Sequence, residues 1–517
     1  MLGALALAFQ SVSPTVPLSA QVSPRDSALH ALNRLAYGPR PGEVERVARE
    51  GVMRWIDRQL APQQIADGDR AAREREFRFL DYDRGDLARL YVAAQQERRE
   101  RKADPTADQP PGPLEQRGRR LAGQFAELAV MRAAISERQL YEVMVDFWTN
   151  HFNVFLGKGA DRFLTPDYVE HVIRPHALDR FEDLLIATAE SPAMLFYLDN
   201  WASVAPGASP PFPLSASRRG GQGARKGINE NYARELLELH TIGVDGGYTQ
   251  ADVINVARIF TGWGIERPQQ AGGFVFHEWA HDYGEKAVLG VAFPAGHGED
   301  EAIRLLRLLA NHPATMHHVS RKLCERFVSD EPPDGCVDDA VGAWKRSHGD
   351  LREVLRAIFT SPDFWAPRTV GGKVKTPLEF VVSAARAAGA DPDTNPRLAQ
   401  LVARLGEPLY LHVAPDGYPE NQDAWVNSGA LLDRMNAAVA LVAGKLPDVS
   451  VNLDSIAPPT ADPDVLIAAV NERVLGGTMS ANTAKVIREQ LADVHDPAQA
   501  RALAVGLVLG GPEFQRQ

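Results

Sequence analysis

Apolar side chains recur at three- and four-residue spacing along most of this 517-residue chain. That period paints one stripe on a helix, and the stripe has to be buried against another element. Helices are predicted over 28–60, 68–101, 114–155, 176–199, 229–243, 250–262, 300–310, 313–328, 337–346, 350–360, 376–389, 396–405, 428–445, 463–475, 480–494 and 497–510. The strict alternation of a half-buried strand is scarce. Its best case is Gly272-Gly-Phe-Val-Phe276 with Lys286-Ala-Val-Leu289, two short runs expected to pair as a hairpin. The predicted fold class is mainly α: a large multi-helix single domain with a small β-hairpin and long loops.

Two stretches break the periodicity. Residues 102–113 (KADPTADQPPGP) form a polar, proline-rich connector. Residues 203–228 are rich in Pro, Gly and Ser and end in Arg218, Arg219, Arg225 and Lys226, which reads as a flexible, solvated surface loop. The breaks and turns outline an N-terminal helical region (28–101), a main helical body (114–450) and a C-terminal helical region (455–517) packed on it. Ahead of these, residues 1–21 join an apolar run, Leu2 to Phe9, to a small-residue site at Leu18-Ser19-Ala20. This resembles a secretory signal peptide without its basic segment, the alternative being a disordered tail. A periplasmic or extracellular location is the expectation.

Two helices place histidine among apolar residues. Over 140–155, Leu140, Val143, Met144, Phe147, Trp148, His151 and Phe155 share a face, with Glu142, Asp146, Thr149, Asn150 and Asn153 opposite. Over 229–240, His240 falls in the arc of Tyr232, Ala233, Leu236, Leu237 and Leu239. Glu230, Asn231, Arg234, Glu235 and Glu238 lie on the other side. Gly243 then stops that helix, and Thr249 with Asp252 caps the next. A buried imidazole needs a partner for each ring nitrogen. Hydrogen bonds to nearby backbone meet that need locally; two such histidines also suit a polar site inside a helical bundle.

Composition narrows the function. A net charge of -11 argues against a nucleic-acid partner, which would call for a basic face. No apolar run is long enough for a transmembrane segment. The two cysteines, Cys324 and Cys336, leave two states open: a disulfide closing a short loop, or a buried thiol, which the helical setting of Cys324 suggests.

His277-Glu-Trp-Ala-His281 spells the zinc-protease pattern, in which two histidines on one helical face grip a metal. The flanking Gly-Gly-Phe-Val-Phe and Asp282-Tyr-Gly284 read as extended chain and turn, and Ala287 stands where a third ligand is required. His277 and His281 therefore remain only as an alternative metal pair, and no cofactor is specified.

Leu32-Asn-Arg-Leu-Ala-Tyr-Gly38, Phe147-Trp-Thr-Asn-His-Phe152, Asn229-Glu-Asn-Tyr-Ala-Arg-Glu-Leu-Leu-Glu-Leu-His240 and Gly243-Val-Asp-Gly-Gly-Tyr-Thr249 form one series of motifs. Thr261-Gly-Trp263, His281-Asp-Tyr-Gly-Glu-Lys286, Gly417-Tyr-Pro419 and Trp425-Val-Asn-Ser428 continue it. Together they resemble, in order and from about residue 28 onward, the bacterial family of uncharacterised proteins called domain of unknown function 1800. The resemblance implies an exported, mostly helical protein, often encoded beside a second uncharacterised protein with a sulfatase-like fold. It also assigns His281, Asp282, Gly284 and Lys286 to a His-Asp-x-Gly-x-Lys pattern that leaves His277 and Glu278 outside.

The matched positions supply an acid–base inventory. The leading expectation is a hydrolase-like enzyme acting on an extracellular polymer or glycan. Glu235 or Glu238 would be the acid/base, His151 and His240 would bind or orient, and His281 with Asp282 would form a supporting dyad. Asn231, Arg234, Lys286 and Trp425 would bind substrate, with Trp148 and Trp263 as further aromatic candidates whose ordinary fate is core packing. The alternatives are a non-enzymatic envelope protein that binds the sulfatase-like neighbour, and a metal-dependent peptidase or redox enzyme.

Overall fold

The computed structural model describes residues 23–103, 110–208, 227–266 and 272–517. The leader-like segment 1–21 and residues 209–226 of the long loop lie outside the described residues. The fold is mainly α.

Helices α1 (Pro24–Leu35), α2 (Glu43–Glu50) and α3 (Val52–Gln59) replace the single predicted helix over 28–60. The breaks fall at Gly42 and Gly51, whose positive φ of 78° and 95° a helix cannot hold. A short α4 (Gly68–Glu74) leads to the hairpin of α5 (Arg84–Ala103) and α6 (Pro113–Ile135), and then to α7 (Gln139–His151). Next, α8 (Asp161–Tyr168) runs through a π turn at Val169–Ile173 into α9 (Arg174–His176), a helical stretch that periodicity alone does not predict.

The middle of the chain carries α10 (Phe181–Ala189), α11 (Pro192–Tyr197), α12 (Glu230–Glu235) and α13 (Gln250–Ile259). The last turn of α12, Leu236–His240, widens into a π turn. Thr249 and Asp252 form a reciprocal capping box at the start of α13. Beyond the strands follow α14 (Glu299–Ala310), α15 (Pro313–Phe327), α16 (Asp334–Ser347), α17 (Leu351–Thr360), α18 (Pro377–Ala387) and α19 (Arg397–Arg404). The C-terminal helices are α20 (Ser428–Val442), α21 (Pro463–Val474), α22 (Ala481–Leu491) and α23 (Pro497–Leu509).

The expected hairpin is corrected. Phe274–Phe276 (β2) pairs antiparallel with Trp263–Ile265 (β1), and Lys286–Val288 (β3) with Val291–Phe293 (β4). The β3–β4 turn is Leu289-Gly290, with φ of 51° and 76°, the left-handed pair that suits a two-residue hairpin. Each run thus finds a nearer partner than the other. Asp391–Pro392 (β5) and Val449–Ser450 (β6) make a third small pair.

Buried apolar side chains form one cluster from Ala28 to Phe514, so the three helical regions share a core. The last residues return to the centre: Lys375 N–H donates to the Gln515 carbonyl at 2.9 Å, and Gln517 N–H to that of Lys373 at 2.9 Å. Among the described residues, no helix is long and apolar enough to cross a membrane.

Cys324 in α15 and Cys336 in the first turn of α16 are joined in a disulfide, so the buried-thiol expectation for Cys324 is corrected. Helical periodicity fixes where each cysteine points, but only the packing of α15 on α16 brings the two together. In the chain-entropy account, a loop this short stabilises by about 3 kcal/mol. The double substitution Cys324→Ser/Cys336→Ser is expected to lose about that much in urea unfolding, and thiol titration of the unreduced wild type is expected to find no free sulfhydryl.

Candidate functional site

The polar side of α7 does not face open solvent. Asp146, Thr149 and Asn150, with Asn153 just beyond the helix, line a cavity of about 70 Å³, room for a few waters. Tyr37, Arg132 of α6, Arg326 of α15 and a loop carrying Glu407, Tyr418 and Glu420 complete the wall. Glu142, on the same side of α7, is buried outright.

The charges here divide into committed and uncommitted groups. Arg174 grips Glu142 through two bonds of 2.8 Å. Arg132 binds Glu170 at 2.5 and 3.0 Å and Glu74 at 2.5 Å. Arg326 pairs with Glu379 and has Glu420 at 3.6 Å. Bidentate and charge-assisted pairs of this kind make burial of a guanidinium tolerable.

Among the described residues, Asp146 has no hydrogen bond or ion pair. Its carboxyl is enclosed by protein yet keeps contact with the cavity, and burial, opposed by Arg326, raises its pKa to about 7. Glu407 accepts the Leu378 N–H at 2.7 Å. Burial first, and Asp146 second, push its pKa to about 8. Two carboxyls that keep protons near neutrality therefore border one cavity, the condition for a general acid.

The loop that closes the cavity is clasped to α7. Asn150 donates to the Tyr418 carbonyl at 2.8 Å and accepts the Tyr418 N–H at 2.6 Å. Gly417 has φ of 74°, and a Cβ there would lie 2.3 Å from the Asn150 carbonyl oxygen. Trp425, expected as a sugar platform, is 7% exposed and donates to the Pro419 carbonyl at 3.0 Å. It braces the loop. Trp148 and Trp263 are fully buried.

His151 and His240 are brought together, with ring centroids 6.2 Å apart, and His318 of α15 stands 6.5 Å from His151. The π turn ending α12 explains their placement. His151 Nε2 donates to the His240 carbonyl at 3.2 Å and His318 Nε2 to that of Leu239 at 3.3 Å, satisfying the end of the helix. Gly243 leaves space for His318, since a Cβ would meet its Nδ1 at 2.9 Å. Among the described residues, the buried His151 Nδ1 and His240 Nε2 find no partner. Burial, then Lys322, holds the His240 pKa down to about 3.

Glu235 and Glu238 lie on the outer, half-buried side of the same turn. Tyr248 donates to Glu238 at 2.9 Å. Burial, then Glu238, raises the Glu235 pKa. Arg234 bonds Gln250 at 2.9 Å, and Asn231 is exposed beside the cap of α12.

His281, Asp282 and Lys286 form a separate cluster. His281 Nδ1 donates to the Thr261 carbonyl at 2.8 Å, while its Nε2 lies 3.2 Å from the His297 carbonyl and 3.4 Å from Glu301. Lys286 bonds Glu301 at 2.7 Å, and Arg258 holds Asp282 at 2.8 and 3.2 Å. Among the described residues, no hydrogen bond or ion pair joins this cluster to Asp146, Glu235 or His151. His277 and His281 are both extended, with only a short turn at Glu278–Ala280 between them, so they share no helical face. Among the described residues, no group of His, Cys, Asp or Glu side chains is arranged to hold a metal ion.

Sequence reasoning did not single out Asp146, Glu407, Arg326 and Glu420. One signal was present: Arg326 falls on the apolar stripe of α15 with Val319, Leu323 and Phe327, where an unanswered charge cannot stay.

Two outcomes test this arrangement. Gly417→Ala is expected to destabilise by about 2–4 kcal/mol in urea unfolding, because both its φ and its contact forbid a Cβ. His240 stays neutral in the fold down to about pH 3, whereas an unfolded imidazole takes a proton near 6.5. Its contribution is therefore full above that value and declines as pH falls from about 6.5 toward 3. His240→Gln should flatten the stability–pH slope between pH 6 and 4 by about 1.4 kcal/mol per pH unit.

Comparison with curated proteins finds no match, and comparison with solved structures finds none. A family model described as a protein of unknown function, DUF1800, matches residues 30–516, nearly the whole chain. The cavity, the clasped loop and the His281 cluster all fall within that match, and the chain belongs to the DUF1800 family.

Proposed function

We propose that this protein is an enzyme that works by general acid–base transfer at the Asp146–Glu407 cavity, with hydrolysis of an extracellular polymer or glycan as its reaction class. The observation that carries the reading is the Asp146 carboxyl, turned to a cavity, without a bonding partner among the described residues and held near pKa 7. Such a group gives or takes a proton at neutral pH with little driving-force penalty. Glu407, higher at about 8, would hold the second proton. A volume of about 70 Å³ admits one polar group and a water, so a polymer would present a single linkage at the mouth. Work outside the cytoplasm is part of the proposal, and the Cys324–Cys336 disulfide supports it.

A second reading is a non-enzymatic envelope protein acting with a sulfatase-like partner. The closed bonding of Asp282 and Lys286 favours it, because groups so fully occupied have nothing left for a substrate.

The test is Asp146→Asn, assayed for reducing ends released from a panel of bacterial envelope and extracellular polysaccharides. Loss of activity by about 10² or more is expected. The folded carboxyl binds its proton at about 7 and the unfolded one at about 3.9. Native protein therefore holds the extra proton between those values, and stability falls as pH rises through them. Asp146→Asn removes that penalty and should be at least as stable as wild type at pH 8. Retained activity in the variant would refute the assignment.

A further inference from the structure

A larger hollow lies apart from the polar cavity. It has a volume of about 440 Å³, between the α5–α6 hairpin and α8, with Leu411 on one side. Pockets of about 300–1,000 Å³ with mostly apolar walls are the ordinary form of small-molecule sites. Phe79, Phe125 and Phe163 form its buried base, and Tyr91 packs on Phe163 with centroids 5.6 Å apart.

The rim has a different chemistry. Arg98, Arg119 and Arg162 border the hollow. Arg119 is answered by Glu115 at 2.8 Å. Among the described residues, neither Arg98 nor Arg162 has a carboxylate partner, and Arg162 reaches the Gly157 carbonyl at 3.5 Å. Glu115, the carboxylate on the same wall, is held by Arg101 and Arg119, so the guanidinia of Arg98 and Arg162 are left to face the hollow. The walls suit an alkyl chain, and the rim suits a carboxylate that guanidinium groups bind through charge-assisted hydrogen bonds.

We infer that this hollow binds a long-chain fatty acid, its alkyl chain among Phe79, Phe125 and Phe163 and its carboxylate between Arg98 and Arg162. The inference stands independently of the acid–base reading, since the site shares no residue with Asp146 or Glu407.

Fluorescence titration of the full chain with cis-parinaric acid, followed by displacement with palmitate, tests it. Saturable binding of one probe per chain is expected, displaced by palmitate at least tenfold better than by 1-hexadecanol. Arg98→Gln/Arg162→Gln should weaken palmitate at least tenfold while affecting hexadecanol little. Gly118 lines the hollow, and a Cβ there meets nothing within 4 Å, so Gly118→Phe can occupy the space without a backbone clash. That variant should lose the probe while its melting temperature and circular dichroism stay near wild type. Absence of saturable binding, equal displacement by acid and alcohol, or unchanged palmitate affinity in the double arginine variant would each overturn the assignment.

Discussion

Arg326 is the constraint around which the centre of this molecule is organised. It is 4% exposed, and a guanidinium so placed is tolerable only if carboxylates reach it from elsewhere in the chain. Glu379 does so from α18, where it also completes the capping box with Thr376 and accepts Gln517 at 2.8 Å. Glu420 approaches from the loop before α20. One buried cation thus ties α15, α18, the C-terminal residues and the cavity loop into one arrangement. Removing Glu379 would expose the cost of all four at once, which makes the ion pair a specifier of the fold more than a source of net stability.

The cavity chemistry follows from the same distribution of charge. Arg132, Arg174 and Arg326 are each claimed by their own acids, so none is free to neutralise Asp146. The remaining route to neutrality is a proton, and burial supplies the drive. Burial likewise raises the pKa of Asp161, both of whose carboxyl oxygens are buried without a partner among the described residues, so what sets Asp146 apart is its contact with the cavity. A carboxyl left protonated beside a small cavity weakens the fold as pH rises through its raised pKa.

Much of the fold was legible because helical periodicity is local. The stripe containing Leu140, Val143, Phe147 and His151 predicts burial, and those residues are buried. What lies opposite was not legible. Glu142 and Asp146 fall on the polar side of that wheel, and their covers, Arg174 and the 407–420 loop, come from distant sequence. The strands failed for a related reason: Gly272–Phe276 and Lys286–Leu289 show extended chain, but register depends on Trp263–Ile265 and on the Leu289-Gly290 turn. His151 and His240 each read as facing the interior from its own helix, and both are buried; the carbonyl that His151 bonds is presented by the π turn that ends α12.

The signature motifs therefore divide their labour in a way their composition conceals. Thr261 and Gly262 meet the His-Asp-x-Gly-x-Lys segment directly: Thr261 accepts His281, and a Cβ at Gly262 would lie 2.7 Å from the His277 carbonyl oxygen. In the same way Asn150 meets Gly417 and Tyr418. Each clasp ties a loop to another part of the chain, through polar residues, because a loop entering the interior must have its backbone groups answered. The first clasp leaves the side chains of Asp282 and Lys286 engaged. The second leaves Asp146 free beside it, one turn along α7 from Asn150. Where a polar motif ends in complete pairing, its residues are accounted for by the fold; where it stops one carboxyl short, as beside Asn150, a carboxyl is left bordering the cavity.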